Sequence, residues 1–245
     1  MGVAQLTRKQ REIAAREELF LQVARDLMVE EGPRGLTMDK VAAACEYSKG
    51  TLYHHFSSKE DLLAAVAAQT MEKRIGMFEK AASFAGNPRE RLTAIGVAEE
   101  LFVMQNMADF RIQMAIMQEF VRPAVQPERL NQMDMLDLKC MGITTGITRD
   151  AVAHGDLVLP EGTTAEGLTL LLWGSYTGTF SLLSAFEDPC CPIISSLPSD
   201  LDPVANLRRN IHLLLDGYGW KPLSTEWDYD ATYERIVSTV FSPAP

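Results

Sequence analysis

Histidine and cysteine are scarce, four of each in 245 residues, and His54, His55, His154 and His212 are too scattered to suggest a metal site. The chain has no glycine-rich loop to cradle phosphate, no His-Glu-x-x-His pair and no Gly-x-Ser-x-Gly nucleophile elbow. Each missing motif removes a class of chemistry, so no enzyme activity, metal or cofactor is expected. Cys190 and Cys191 are adjacent and lack a C-x-x-C partner, which fits small buried or loop thiols better than a redox or metal centre. No charged-then-apolar leader opens the chain, and Met1-Gly2 is not followed by the Ser or Thr of a myristoylation signal. A cytoplasmic protein with reduced thiols is the expectation.

Positive charge is also short. Twenty-three Lys and Arg face 33 Asp and Glu, a net charge of −10. That sum argues against nucleic acid, because basic side chains drive phosphate binding. The distribution argues the other way: residues 1–60 hold nine basic and nine acidic residues, so the whole acidic excess lies in 61–245. Near the start, residues 8–16 hold Arg8, Lys9, Arg11 and Arg16 against Glu12 alone. This basic arm suits a phosphate backbone or a minor groove, although a solvated terminus explains Arg8 and Lys9 equally well.

Long uncharged runs are limited to Leu168–Phe186, nineteen residues, which is enough to span a bilayer. Its Thr169, Ser175, Thr177, Thr179, Ser181 and Ser184, and the glutamates Glu166 and Glu187 at its ends, argue instead for a helix in a core or an interface. Gly174 and Gly178 allow a second helix close approach. Asp202-Pro203 opens another apolar helix through Leu207, Ile211 and Leu214, closed by Gly217 and Gly219. Two such helices meeting their copies about a two-fold axis make a four-helix interface, so Gly174, Gly178, Leu182, Leu207, Ile211 and Leu214 are the expected dimer contacts.

What the sequence does contain is concentrated between Thr37 and Lys59. Thr37 and Ser48 can each cap a short helix, with a turn between them, and this is the pattern of a helix-turn-helix. In the second helix Tyr47, Leu52 and Phe56 share a core-facing side. Lys49, Gly50, Thr51, Tyr53 and His54 fall on the outer arc, small and hydrogen-bonding. An apolar helix over residues 10–31 precedes the pair and stops at Gly32-Pro33. Ser58 caps the long helix that follows, with Asp61 at the third position, until Gly86-Asn87-Pro88. Lys59 in its first turn opposes the helix dipole unless an anion sits beside it, which makes it a candidate phosphate clamp, with a solvated surface lysine as the alternative.

These residues resemble the TetR family of bacterial transcriptional regulators. The family pattern appears as Thr37, Val41-Ala42, Ser48-Lys49-Gly50-Thr51-Leu52-Tyr53-His54-His55-Phe56 and Lys59-Glu60-Asp61-Leu62. It departs at Cys45-Glu46-Tyr47, where the family commonly has Ala-Gly-Val, so Glu46 falls where φ > 0 is often needed. The resemblance implies an all-α chain: an N-terminal DNA-binding domain at 1–62, with the helix-turn-helix at 37–56, and a ligand-binding and dimerisation domain at 63–245. It implies a homodimer on a palindromic double-stranded DNA operator, usually a repressor, with Thr37, Ser48, Lys49, Gly50, Thr51, Tyr53, His54 and Lys59 at the DNA. A DNA-organising or protein-interaction adaptor on the same fold is the alternative.

Seven of the twelve methionines lie between 104 and 141, and soft thioethers re-pack around varied apolar shapes. With Met104, Met107, Met114, Met117, Trp173 and Tyr176 as a lining, the expected ligand is a small, mainly hydrophobic effector. A methionine-rich core accounts for the same stripe, and spacing does not choose between them. No membrane partner is expected.

Overall fold

A computed structural model of the chain describes residues 7–116, 122–186, 198 and 200–242, and all regular structure among them is helical. Met117, Cys190 and Cys191 lie outside the described residues. By contacts the chain divides into two units, residues 1–71 with 108–134 and residues 72–107 with 135–245. The single cut expected after residue 62 does not describe this division. α4 (Lys59–Ala82) runs through that point without a break, and residues 108–134 return to the first unit.

In the first unit, α1 (Arg8–Gly35) starts at a capping box: Gln10 N donates to Thr7 Oγ1, and Thr7 N donates back to Gln10 Oε1 at 2.9 Å. Gly32 interrupts it at φ 72, a left-handed conformation that glycine adopts without penalty. α2 (Met38–Ala44) and α3 (Lys49–His55) follow. Phe20 is fully buried and takes ring edges from Phe56 at 6.5 Å, His55 at 5.3 Å and Tyr47 at 5.4 Å. Leu52 and Phe56 are buried as their spacing predicts. Tyr47, placed by spacing in the core, keeps an exposed edge under the Arg16 guanidinium.

The returning segment is tied by polar contacts. α6 (Met107–Ile116) carries Asp109, whose Oδ1 takes Arg25 Nε at 3.2 Å. Ser58 Oγ donates to the Ala124 carbonyl at 2.8 Å. Near the start of α7 (Pro127–His154), Arg129 donates from Nε to Asp61 Oδ1 at 2.9 Å and lies over the Phe56 ring.

The second unit is built on α5 (Pro88–Gln105), α8 (Ala165–Phe186), α9 (Pro203–Gly217) and α10 (Tyr229–Ile236), with the later parts of α4 and α7. Ile75, Phe78, Ile95, Ile147, Trp220 and Ile236 are among its buried core. Arg89 is wholly buried there: its guanidinium donates to the carbonyls of His212, Trp220 and Pro222 and pairs with Asp216 at 2.7 Å. Five N–H donors in a planar fork suit this task of closing the turn after α9.

The dimer expectation divides on inspection of the faces. Gly174, Gly178 and Leu182 are exposed on α8, beside Leu170 and Leu171. Leu207 and Ile211 are buried in the core of their own unit, and Leu214 packs partly against it. The apolar side chain that α9 turns outward is Leu213, 59% exposed. An amphipathic helix offers its apolar stripe to whichever partner is nearer, and here that partner is α8 of the same chain.

Candidate nucleic-acid interface and ligand cavity

Two caps and one turn set the geometry of the helix-turn-helix. Thr37 Oγ1 accepts from Lys40 N at 3.2 Å and fixes the start of α2. Its end is a paired closure in which Glu46 N donates to the Ala43 carbonyl at 3.1 Å and Tyr47 N to that of Ala42 at 3.0 Å. This closure places its penultimate residue in the left-handed region, usually as glycine, and here Glu46 takes it at φ 57. Ser48 Oγ then accepts from Thr51 N at 3.1 Å and lies 2.8 Å from Thr51 Oγ1.

With Leu52 and Phe56 anchored, Lys49, Gly50, Tyr53 and His54 are exposed and Thr51 half-buried. A Cβ added at Gly50 would meet only Ser48 Oγ, at 3.8 Å. Lys49 Nζ pairs with Asp39 Oδ1 at 2.6 Å and lies 6.0 Å from the Tyr53 ring centre. The bond to Asp39 raises the Lys49 ammonium above the ordinary lysine value. His55 points inward beside Phe20, and burial lowers its pKa although Glu17 lies 3.8 Å away. Lys59 opens α4, where Asp61 N donates to Ser58 Oγ at 2.9 Å and Asp61 Oδ2 accepts from Ser57 N at 3.0 Å. An outer arc of hydroxyls, imidazole and ammonium on a short helix can read base edges and hold phosphates in a major groove.

The second unit contains a cavity of about 620 Å³. Trp173 and Tyr176 line it, as does Met141, but Met104, Met107 and Met114 do not. Met104 is 56% exposed on the last turn of α5, and Met114 belongs to the first unit. The physical reason is Asn106, at φ −135 and ψ 43, whose Nδ2 donates to the Phe102 carbonyl at 2.7 Å and ends α5. Met107 and Met114 fall on α6, beyond that break, and not on a helix that lines the cavity.

Apart from Tyr176, the polar groups in the lining escaped the sequence reading. Arg74 donates from Nε to Glu99 Oε2 at 2.6 Å, both side chains buried, with the guanidinium over Phe78. The legible signal was a charge set between Met71 and Phe78 on an apolar stripe. Tyr176 places its hydroxyl against Gly96, where any Cβ would collide with it, and burial raises its pKa. Tyr233 Oη donates to Glu100 Oε1 at 2.8 Å and is pushed up to about 12 by burial. Arg208 lies over the Tyr233 ring and 3.3 Å from Glu100 Oε2, without the alignment of a hydrogen bond. His212 stacks on Tyr229 at 4.3 Å and is pushed down to about 4, by burial first and then by Arg89. Burial pushes the Cys140 thiol up to about 11. At neutral pH the histidine, thiol and phenols here are therefore uncharged, and Arg74 and Arg208 each have a glutamate partner.

The model of the bacterial regulatory proteins of the tetR family matches residues 20–66. The HTH-type transcriptional regulator UidR of Escherichia coli K12 is 30% identical over 156 residues, covering 62% of this chain and 74% of UidR. The HTH-type transcriptional repressor KstR2 of Rhodococcus jostii is 25% identical over 143 residues, 58% of this chain and 68% of that protein. In fold the chain is similar to the regulator FadR from Bacillus subtilis, solved in complex with stearoyl-CoA. The TM-score is 0.62 at 17% identity, over 82% of this chain and 98% of FadR. Carrying that helix-turn-helix and this relationship to UidR, the chain belongs to the TetR family of bacterial DNA-binding transcriptional regulators.

Proposed function

We propose that this regulator is a homodimeric repressor, released from a palindromic operator by a small, mainly apolar effector held in the cavity of the second unit. The observation that carries this reading is the cavity itself. Its volume of about 620 Å³ falls within the roughly 300–1,000 Å³ common for small-molecule sites, and a filled core would have favoured an adaptor. DNA contact is assigned to Lys49, Gly50, Thr51, Tyr53, His54 and Lys59, and dimer contact to the exposed face of α8 at Gly174, Gly178 and Leu182.

An effector releases DNA only by binding more tightly to a conformation in which the two α3 helices no longer match their half-sites. α4 is suited to report occupancy. It begins at Lys59 and the Asp61 cap and later contributes Arg74 and Phe78 to the lining. α7 begins beside Arg129 and contributes Cys140, Met141 and Thr144. A coupling of about 1–3 kcal/mol weakens operator binding by about 5–150-fold.

The test starts from an operator selected with the purified protein and a panel of apolar metabolites screened for release. Met141→Trp fills the cavity and is expected to keep DNA binding while losing release. Wild-type release by that variant removes the cavity from the mechanism.

A further inference from the structure

Among the described residues, Tyr176 and Arg74 each bring to the cavity lining a hydrogen-bond donor without an acceptor. Tyr176 lines it, and its hydroxyl hydrogen-bonds to no other described residue. Arg74 also lines it, is 6% exposed, and among the described residues hydrogen-bonds only through Nε, to Glu99. Buried donors are normally satisfied, and one left open toward a cavity marks a place where a bound oxygen or water belongs. Gly96 reinforces this, because the missing Cβ is the space the phenol oxygen occupies.

Charge selects among the oxygens a ligand can bring. The Arg74 cation is balanced by Glu99 at 2.6 Å, and Arg208 is faced by Glu100. A carboxylate set between Tyr176 and Arg74 would put a second negative charge beside Glu99, which already uses the Arg74 cation, at a large desolvation penalty; the other cation of the lining, Arg209, is exposed to solvent. A carbonyl accepts two hydrogen bonds and adds no charge. Phe78, Leu92, Ile95, Leu172 and Trp173 give the wall a large apolar part, with the Thr93, Thr144 and Thr169 hydroxyls as further neutral polar groups.

Resting on the effector reading above, we propose that the cavity's ligand is an uncharged, largely apolar molecule bearing a carbonyl oxygen, ketone or ester, that accepts hydrogen bonds from the Tyr176 hydroxyl and the Arg74 guanidinium. Burial keeps the Tyr176 phenol protonated at every pH the protein meets, so it remains a donor.

Three probes of nearly one shape separate the alternatives: 2-acetylnaphthalene, 2-ethylnaphthalene and 2-naphthoate, titrated calorimetrically into wild type and Tyr176→Phe. The variant keeps the ring and removes only the oxygen, and circular dichroism checks its fold. In wild type the ketone is expected to bind about tenfold more tightly than the hydrocarbon, since a site with open buried donors rejects a ligand that leaves them unpaired. Tyr176→Phe is expected to remove most of that preference and leave hydrocarbon affinity unchanged. The proposal is overturned by hydrocarbon binding as tight as the ketone's, by naphthoate binding tightest, by a ketone preference that survives in Tyr176→Phe, or by no binding of any probe. Ketone preference without loss of operator binding upholds the ligand chemistry and overturns the effector reading alone.

Discussion

Glu46 occupies a left-handed turn position at φ 57, where a side chain with a Cβ carries about 1–3 kcal/mol of strain. Glu46→Gly relieves that strain and gives back part of it as unfolded-chain entropy. Thermal unfolding is expected to show a gain of roughly 0.5–1 kcal/mol. This residue was legible in the sequence, because the turn is local and the caps around it are fixed by their own hydrogen bonds. Arg74 was not, since its partner Glu99 is twenty-five residues away and nothing local pairs them. At Gly96 a Cβ collides with the Tyr176 hydroxyl, so Gly96→Ala is expected to cost about 1–3 kcal/mol in the same melts. His212, packed among Arg89, Arg208, Asp216 and Asp230, has a folded pKa of about 4 against 6.5 unfolded. The unfolded chain takes the proton first as pH falls. Stability is therefore whole above about pH 6.5, declines between 6.5 and 4, and loses up to about 3 kcal/mol in all. Urea melts of His212→Phe are expected to lack that slope.

Among elements, α7 draws its importance from its first turn. Arg129 meets both Asp61, 1% exposed at the cap of α4, and Phe56 at the end of α3. Arg129→Met leaves Asp61 buried without its cation, a change worth about 3–5 kcal/mol. The expected outcome is faster hydrogen exchange in α3 and the first turns of α4, with weaker DNA binding, while probe binding in the second unit is kept. Equal exchange in both proteins would show that the pair holds nothing in place. Most helix ends were legible because glycine and proline mark them: Gly32 and Gly155 both take positive φ, and Pro203 sits in the first turn of α9 behind the Asp202 cap. The break at Asn106 has neither residue, so nothing in the local sequence marks where α5 stops and α6 starts. The Arg129 contact was hidden for the opposite reason, being a long-range meeting of two ordinary surface residue types.

For the molecule as a whole, the exposed face of α8 and the buried face of α9 separate two expectations that sequence alone had merged. Gly178→Glu places a charge on the exposed face and is expected to yield folded monomers by sedimentation, with weak operator binding. Dimers gain affinity from half-sites about 34–36 Å apart. Ile211→Glu buries a charge in the core and is expected to unfold the second unit instead. A dimeric Gly178→Glu protein would move the interface elsewhere. The ion pair between Lys49 and Asp39 matters at this scale too, because it makes the protein carry its own counterion to the DNA. For Lys49 to contact a phosphate as proposed, it must leave Asp39, and the solvated carboxylate left behind draws cations toward it, offsetting part of the release from the DNA. Each half-site is then expected to add less than the roughly 0.9 per phosphate contact that an unpaired lysine adds to the slope of log affinity against log salt. Asp39→Asn is expected to steepen that slope, read as operator affinity across a salt series, and an unchanged slope would show that the pair plays no part at the DNA.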